Sequence, residues 1–136
     1  MKRFISILIL GLLTTNCLQA QDYKVVFDLT SKDSVNQKAL IRQVSSIKEM
    51  SPSSNLEVVI YGEGLPILLK DRSPFEASII KLIRTEHVSF KVCAETMKRL
   101  NVDKAQLIPG VETVPDGIYE IVTKQKEGWG YIKVAH

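Results

Sequence analysis

Residues 23–30, "YKVVFDLT", place Val25, Val26, Phe27 and Leu29 in an almost unbroken apolar run. A run this short and this full reads as a strand covered on both faces. "LEVVIYG" at 56–62 and "HVSFKV" at 87–92 predict the second and third strands. "AQLIPG" at 105–110 predicts a short fourth strand ending at Pro109 and Gly110, and "WGYIKV" at 129–134 a fifth. Between the strands the period changes. Leu40, Val44, Ile47 and Met50 fall at helical spacing behind a cap at Asp33 or Ser34. "SPSSN" at 51–55 is loop chemistry, and Pro66 opens a short apolar turn through Leu69. Ser73, Pro74 and Glu76 form a helix start, with Phe75, Ile79, Leu82 and Ile83 as its buried stripe. "AETMKRL" follows the third strand at once. Thr113 to Asp116 start a last helix, with Ile118, Ile121, Val122 and Gln125 marking its inner face and Gly128 its end. Strands alternating with helices predict an α/β fold, a parallel sheet with helices on both faces.

The first 20 residues stand outside this pattern. Lys2 and Arg3 precede a ten-residue apolar run, Phe4 to Leu13, and the segment closes on Leu18-Gln19-Ala20. That is the layout of a secretory signal peptide. The run is too short to span a bilayer, which takes about 20 apolar residues. Cleavage after Ala20 is expected, leaving residues 21–136 as a single domain in the periplasm. Cys17 raises lipoprotein anchoring as a rival, but Asn16 before it suits a lipidation site badly.

Setting that segment aside removes Lys2 and Arg3 and leaves 16 basic against 15 acidic residues. So balanced a domain has no overall pull on nucleic acid or anionic lipid, and no basic stripe overturns this. Neither a nucleic-acid partner nor a membrane span is expected.

In open parallel sheets, ligands bind beyond the C-terminal ends of the strands. The predicted ends supply Asp28 and Thr30 after the first strand, and Tyr61, Gly62 and Glu63 after the second. Cys93 follows the third, with Thr96 close behind, and Pro109 and Gly110 follow the fourth. Cys93 is the one cysteine of residues 21–136. In an oxidising compartment a leftover thiol is either buried and inert or reachable and used. Its place at a helix start favours thiolate over thiol, and Glu95 works against this. Gly62-Glu63-Gly64 is a turn, not a dinucleotide fingerprint, because Ile67 stands at the third glycine position. With neither CxxC nor HExxH present, no metal and no cofactor are expected.

The "VVFDLT" start, the "VVIYGEG" strand, the "FKVCAETMKRLNV" block and the "LIPGVETVPDGIYEIVTKQKEGWGYIKV" tail together resemble the DsrE/DsrF-like family. The resemblance runs from Tyr23 to Val134. It implies a three-layer α/β/α sandwich on a mainly parallel five-stranded sheet, assembled into homo-oligomers such as trimers or hexamers. It also implies sulfur-relay chemistry, in which the cysteine after strand three, here Cys93, accepts sulfane sulfur as a persulfide. Donor and acceptor would be proteins or small thiols. An exported chain cannot meet tRNA, so that branch of the relay is not expected. The alternative is a non-catalytic module of the same fold, binding a small ligand or a protein, with an incidental cysteine.

Overall fold

The computed structural model describes residues 23–135. The predicted signal segment, Cys17 and His136 lie outside the described residues. Five strands form one sheet: β1 (Lys24–Leu29), β2 (Asn55–Ile60), β3 (Val88–Cys93), β4 (Glu112–Val114) and β5 (Gly130–Lys133). Their order is β4-β3-β2-β1-β5, and every pairing is parallel. Four helices connect them: α1 (Ser34–Met50), α2 (Glu76–Ile83), α3 (Ala94–Arg99) and α4 (Gly117–Lys126). Two 3-10 segments, Gly62–Leu68 and Lys104–Gln106, complete the chain.

Alternation along the strands makes two unequal faces. Val25, Phe27 and Leu29, then Leu56, Val58 and Ile60, then Val88, Phe90 and Val92 point one way. They meet Leu40 and Val44 of α1, Ile79 and Leu82 of α2 and Met97 of α3 in one large core. Each such side chain contributes about 1.5–3 kcal/mol on full burial. The opposite face carries a small apolar cluster of Val26, Val59 and Ile121, with Tyr61 and Trp129 against it. The rest of that face is polar: Asp28 and Glu57 are buried in the strands, and Lys91 is partly so. Only α4 covers it. Right-handed crossovers explain the asymmetry. The chain steps from β1 to β4 in one direction with its helices on one face, and the return to β5 puts α4 on the other.

Asp33 caps α1, accepting from the Val35 N–H at 2.7 Å. The predicted stripe of α1 stops short of Met50, the last residue of the helix, which is 77 % exposed. The second helix begins at Glu76, later than Ser73 suggested. Ser73 Oγ accepts from the Phe75 N–H, and the Glu76 carboxylate reaches back to the Asp71 N–H instead.

The predicted fourth strand is displaced. Residues 104–106 form a 3-10 turn, and Leu107 bridges antiparallel to Leu69. Leu107 and Ile108 are buried, so "LI" fills the core from a loop and not from a strand. The true strand, Glu112–Val114, is three residues long. Pro109 and Gly110 therefore lead into β4 at its N-terminal end, far from the expected rim. Gly110 has φ +93, and a Cβ there would come within 2.7 Å of Ile83. The inner face of α4 also differs: Ile118, Val122 and Gln125 are exposed, and Ile121 is buried.

Candidate functional site

Neighbouring connections leave the sheet on opposite sides between β3 and β4. From β3 the chain turns into α3, whose Met97 joins the large core. From β4 it turns into α4 on the other face. Such a switch in direction opens a crevice at the C-terminal edge of a parallel sheet. Here it is a cleft of about 320 Å³ lined by Tyr61, Cys93, Glu95, Thr96, Arg99, Asp116, Gly117 and Ile118.

Cys93 ends β3 and stands directly before α3, where its side chain makes no capping hydrogen bond. It is a free thiol and 5 % exposed. Across the cleft, α4 starts at Gly117. A Cβ at Gly117 would lie 3.2 Å from a Tyr61 ring carbon and 3.3 Å from the Cys93 Cβ. The absence of a side chain thus brings the first turn of α4 against the cysteine. Asp116 caps that turn by accepting from the Tyr119 N–H at 2.7 Å. On the other wall, the Thr96 hydroxyl accepts from the Gly62 N–H at 3.1 Å, tying the turn after β2 to α3. Arg99 is exposed and has no ion-pair partner among the described residues. It is the cleft's cation, against the carboxylates of Glu95 and Asp116.

Lys91, two residues before Cys93, does not serve the thiol. Its ammonium lies 3.0 Å from Glu57 and 3.2 Å from Glu120. Burial works to lower the Lys91 pKa, but the hydrogen bonds and charges of Glu57 and Glu120 prevail and raise it.

The sequence-predicted rim thus divides. Cys93, Tyr61 and Thr96 line the cleft, and Gly62 touches it through Thr96. Asp28 and Thr30 belong to a polar knot at the β1–β5 edge. Asp28 accepts from the Tyr131 hydroxyl at 2.6 Å, the Lys133 ammonium at 3.0 Å and the Tyr61 hydroxyl at 3.4 Å. Lys133 also donates to the Thr30 hydroxyl at 3.0 Å. Burial and the Asp28 carboxylate push the Tyr131 phenol up to about 12 and raise that of Tyr61. This knot seats Tyr61 at the cleft. Glu63 points to solvent and pairs with Lys32 at 3.5 Å, and Pro109 and Gly110 take no part. Sequence reasoning missed Asp116, Gly117 and Ile118 because it ended the fourth strand too early. It missed Arg99, although Cys93, Thr96 and Arg99 recur at a spacing of three.

The DsrE/DsrF-like family model matches residues 24–134. Protein MTH1491 of Methanobacterium thermoautotrophicum is 33 % identical, with a TM-score of 0.78 over 82 % of this chain and 99 % of that one. The YchN protein of E. coli is 15 % identical, with a TM-score of 0.70 over 81 % of this chain and 97 % of that one. Protein BT1422 of Bacteroides thetaiotaomicron is 14 % identical, with a TM-score of 0.71 over 88 % of this chain and the whole of that one. These last two share the fold. No curated protein matches the chain.

Proposed function

The chain belongs to the DsrE/DsrF-like family, and on that premise we propose that Cys93 carries sulfane sulfur. Its thiolate attacks the outer sulfur of a persulfide, R–S–SH. The new S–S bond makes Cys93–S–SH, the old S–S bond breaks, and R–S⁻ leaves with the electron pair. Delivery to an acceptor thiolate repeats the exchange in reverse, so no oxidant or reductant is consumed. The observation that carries this reading is the position of Cys93 in the crevice where the connections from β3 and β4 part. Arg99 suits an anionic donor or acceptor such as a small acidic thiol. Cys93 is the single cysteine of the described residues, so the sulfur passes to another molecule.

Export through residues 1–20 belongs to the same proposal, resting on the basic start and apolar run of that segment. So does assembly into a homo-oligomer, trimer or hexamer. Ile118, Tyr119 and Val122 support it, since they are exposed side by side on α4 next to the cleft. Among the described residues no helix is long and apolar enough to cross a membrane.

Intact mass after incubation with glutathione persulfide tests the chemistry. The expected result is a reductant-labile gain of about 32 Da, one sulfur atom, on the native protein and none on Cys93→Ser. A thiol that reacts only after denaturation would favour the other reading, a binding module with an incidental cysteine.

A further inference from the structure

The inner face of α4 is half charged. Gly117, Glu120, Ile121 and Lys124 follow one another at helical spacing and look toward the sheet. Beneath them Glu57 of β2 is 2 % exposed, in the middle of the sheet. Lys91 of β3 bridges Glu57 and Glu120, at 3.0 and 3.2 Å. Lys124 approaches Glu57 at 3.6 Å, Glu120 at 3.8 Å and Glu127 at 3.6 Å. The neighbouring strands add little. Val26 of β1 is the register partner of Glu57, Tyr131 of β5 lies beyond it, and Glu112 of β4, beside Lys91, is exposed. In the covered cluster two carboxyls, Glu57 and Glu120, thus share two ammoniums, and Glu127 stands half exposed at its rim.

Within that cluster one buried acceptor is left over. Glu57 Oε1 is buried and has no donor when both glutamates are ionised. Lys91 and Lys124 each pair with both Glu57 and Glu120, so the two carboxyls lie side by side around the same ammoniums. An orphaned buried acceptor is costly, and a shared proton satisfies it. We propose that one proton held between Glu57 and Glu120 latches α4 onto the sheet, and that its loss loosens the α4 wall of the Cys93 cleft. The link to the cleft is short: Glu120 sits one turn from Gly117, which touches Cys93 and Tyr61. The apolar seat of α4 is also small, so its charges weigh heavily.

Burial and the hydrogen bond with Glu120 raise the Glu57 carboxyl above its ordinary value, outweighing Lys91 and Lys124. For Glu120 burial is overcome by the hydrogen bonds from Glu57 and Lys91 and by the lysine charges, and its value falls. The pair titrates as a unit, in two steps spread apart. A carboxyl raised in the fold favours the folded seat at acid pH, and that contribution disappears as pH rises through its folded value. Glu120, lowered in the fold, works with the opposite sign and loses its contribution as pH falls through its folded value, so the latch holds between the two steps and slackens above the upper one.

Amide hydrogen exchange of residues 117–126 in the full chain, normalised to the intrinsic rate at each pH, reads the latch directly. Trp129, the single tryptophan, lies 4.8 Å from Lys124 and gives a parallel fluorescence signal. Wild type is expected to lose protection several-fold across one proton step above the usual carboxyl range. Glu57→Gln, whose amide donates permanently to Glu120, should stay protected and flat. Glu120→Gln, at a less buried position, serves if the first variant fails to fold. A flat wild-type curve, or a wild-type step that either folded variant reproduces, overturns the proposal. The control of Cys93 rests on the sulfur-carrier reading, but the exchange signal does not involve the thiol. Failure of persulfide uptake with the exchange step intact would remove the carrier and leave the latch.

Discussion

At the residue scale the cleft depends on a missing side chain. Glycine in the first turn of a helix normally costs up to about 1 kcal/mol relative to alanine. At Gly117 a Cβ would sit 3.2–3.3 Å from Tyr61, Cys93 and Val59, tighter than ordinary van der Waals contact on three sides. Gly117→Ala is expected to destabilise by about 1–3 kcal/mol through overpacking, read from the urea midpoint, and to slow alkylation of Cys93 in the native state. A stabilised variant with unchanged thiol reactivity would show that α4 does not press on the cysteine. Tyr61, Cys93 and Thr96 were legible in the sequence, because strand ends can be found from apolar runs alone. Arg99 was not: its spacing of three from Cys93 and Thr96 puts it on their helix face, but that spacing acquires meaning only when the residues across the crevice are known.

Among the elements, β1 and β2 announced themselves as dense apolar runs, β3 by the alternation of Val88, Phe90 and Val92, and β5 by Tyr131, Ile132 and Val134. β4 did not. Its apolar signal, Leu107 and Ile108, belongs to a loop that plugs the core, and the strand itself begins with Glu112 and Thr113. That displacement hid Asp116 and Gly117 from the site. The stripe of α4 misled for a related reason. Its inward positions hold Glu120 and Lys124, so hydrophobicity pointed to Ile118 and Val122, which face solvent. No pattern of apolar residues reveals a helix seated partly on ion pairs. Asp116, read from the sequence as part of a helix start, is the cap. Asp116→Ala should cost about 0.5–2 kcal/mol in chemical denaturation, with faster exchange concentrated in the first turn of α4. A loss spread evenly over all four helices would argue against a local role.

For the molecule as a whole, the large core and the candidate site sit on opposite faces of one sheet. The face under α1 and α2 is almost wholly apolar, and Phe90 lies fully buried at its centre. Phe90→Ala is expected to cost about 3–5 kcal/mol, measured by thermal or urea unfolding. The α4 face, with its small apolar cluster and its buried charges, contributes less to stability.

The borders of the sheet set a further condition. β4 offers a newcomer only three residues of backbone, and β5 ends at Lys133, tied back to Asp28. Brief or lysine-bearing margins resist annexation by a foreign strand. Copies of this chain would then meet flank to flank, helix against helix, with each sheet remaining a closed ribbon of five.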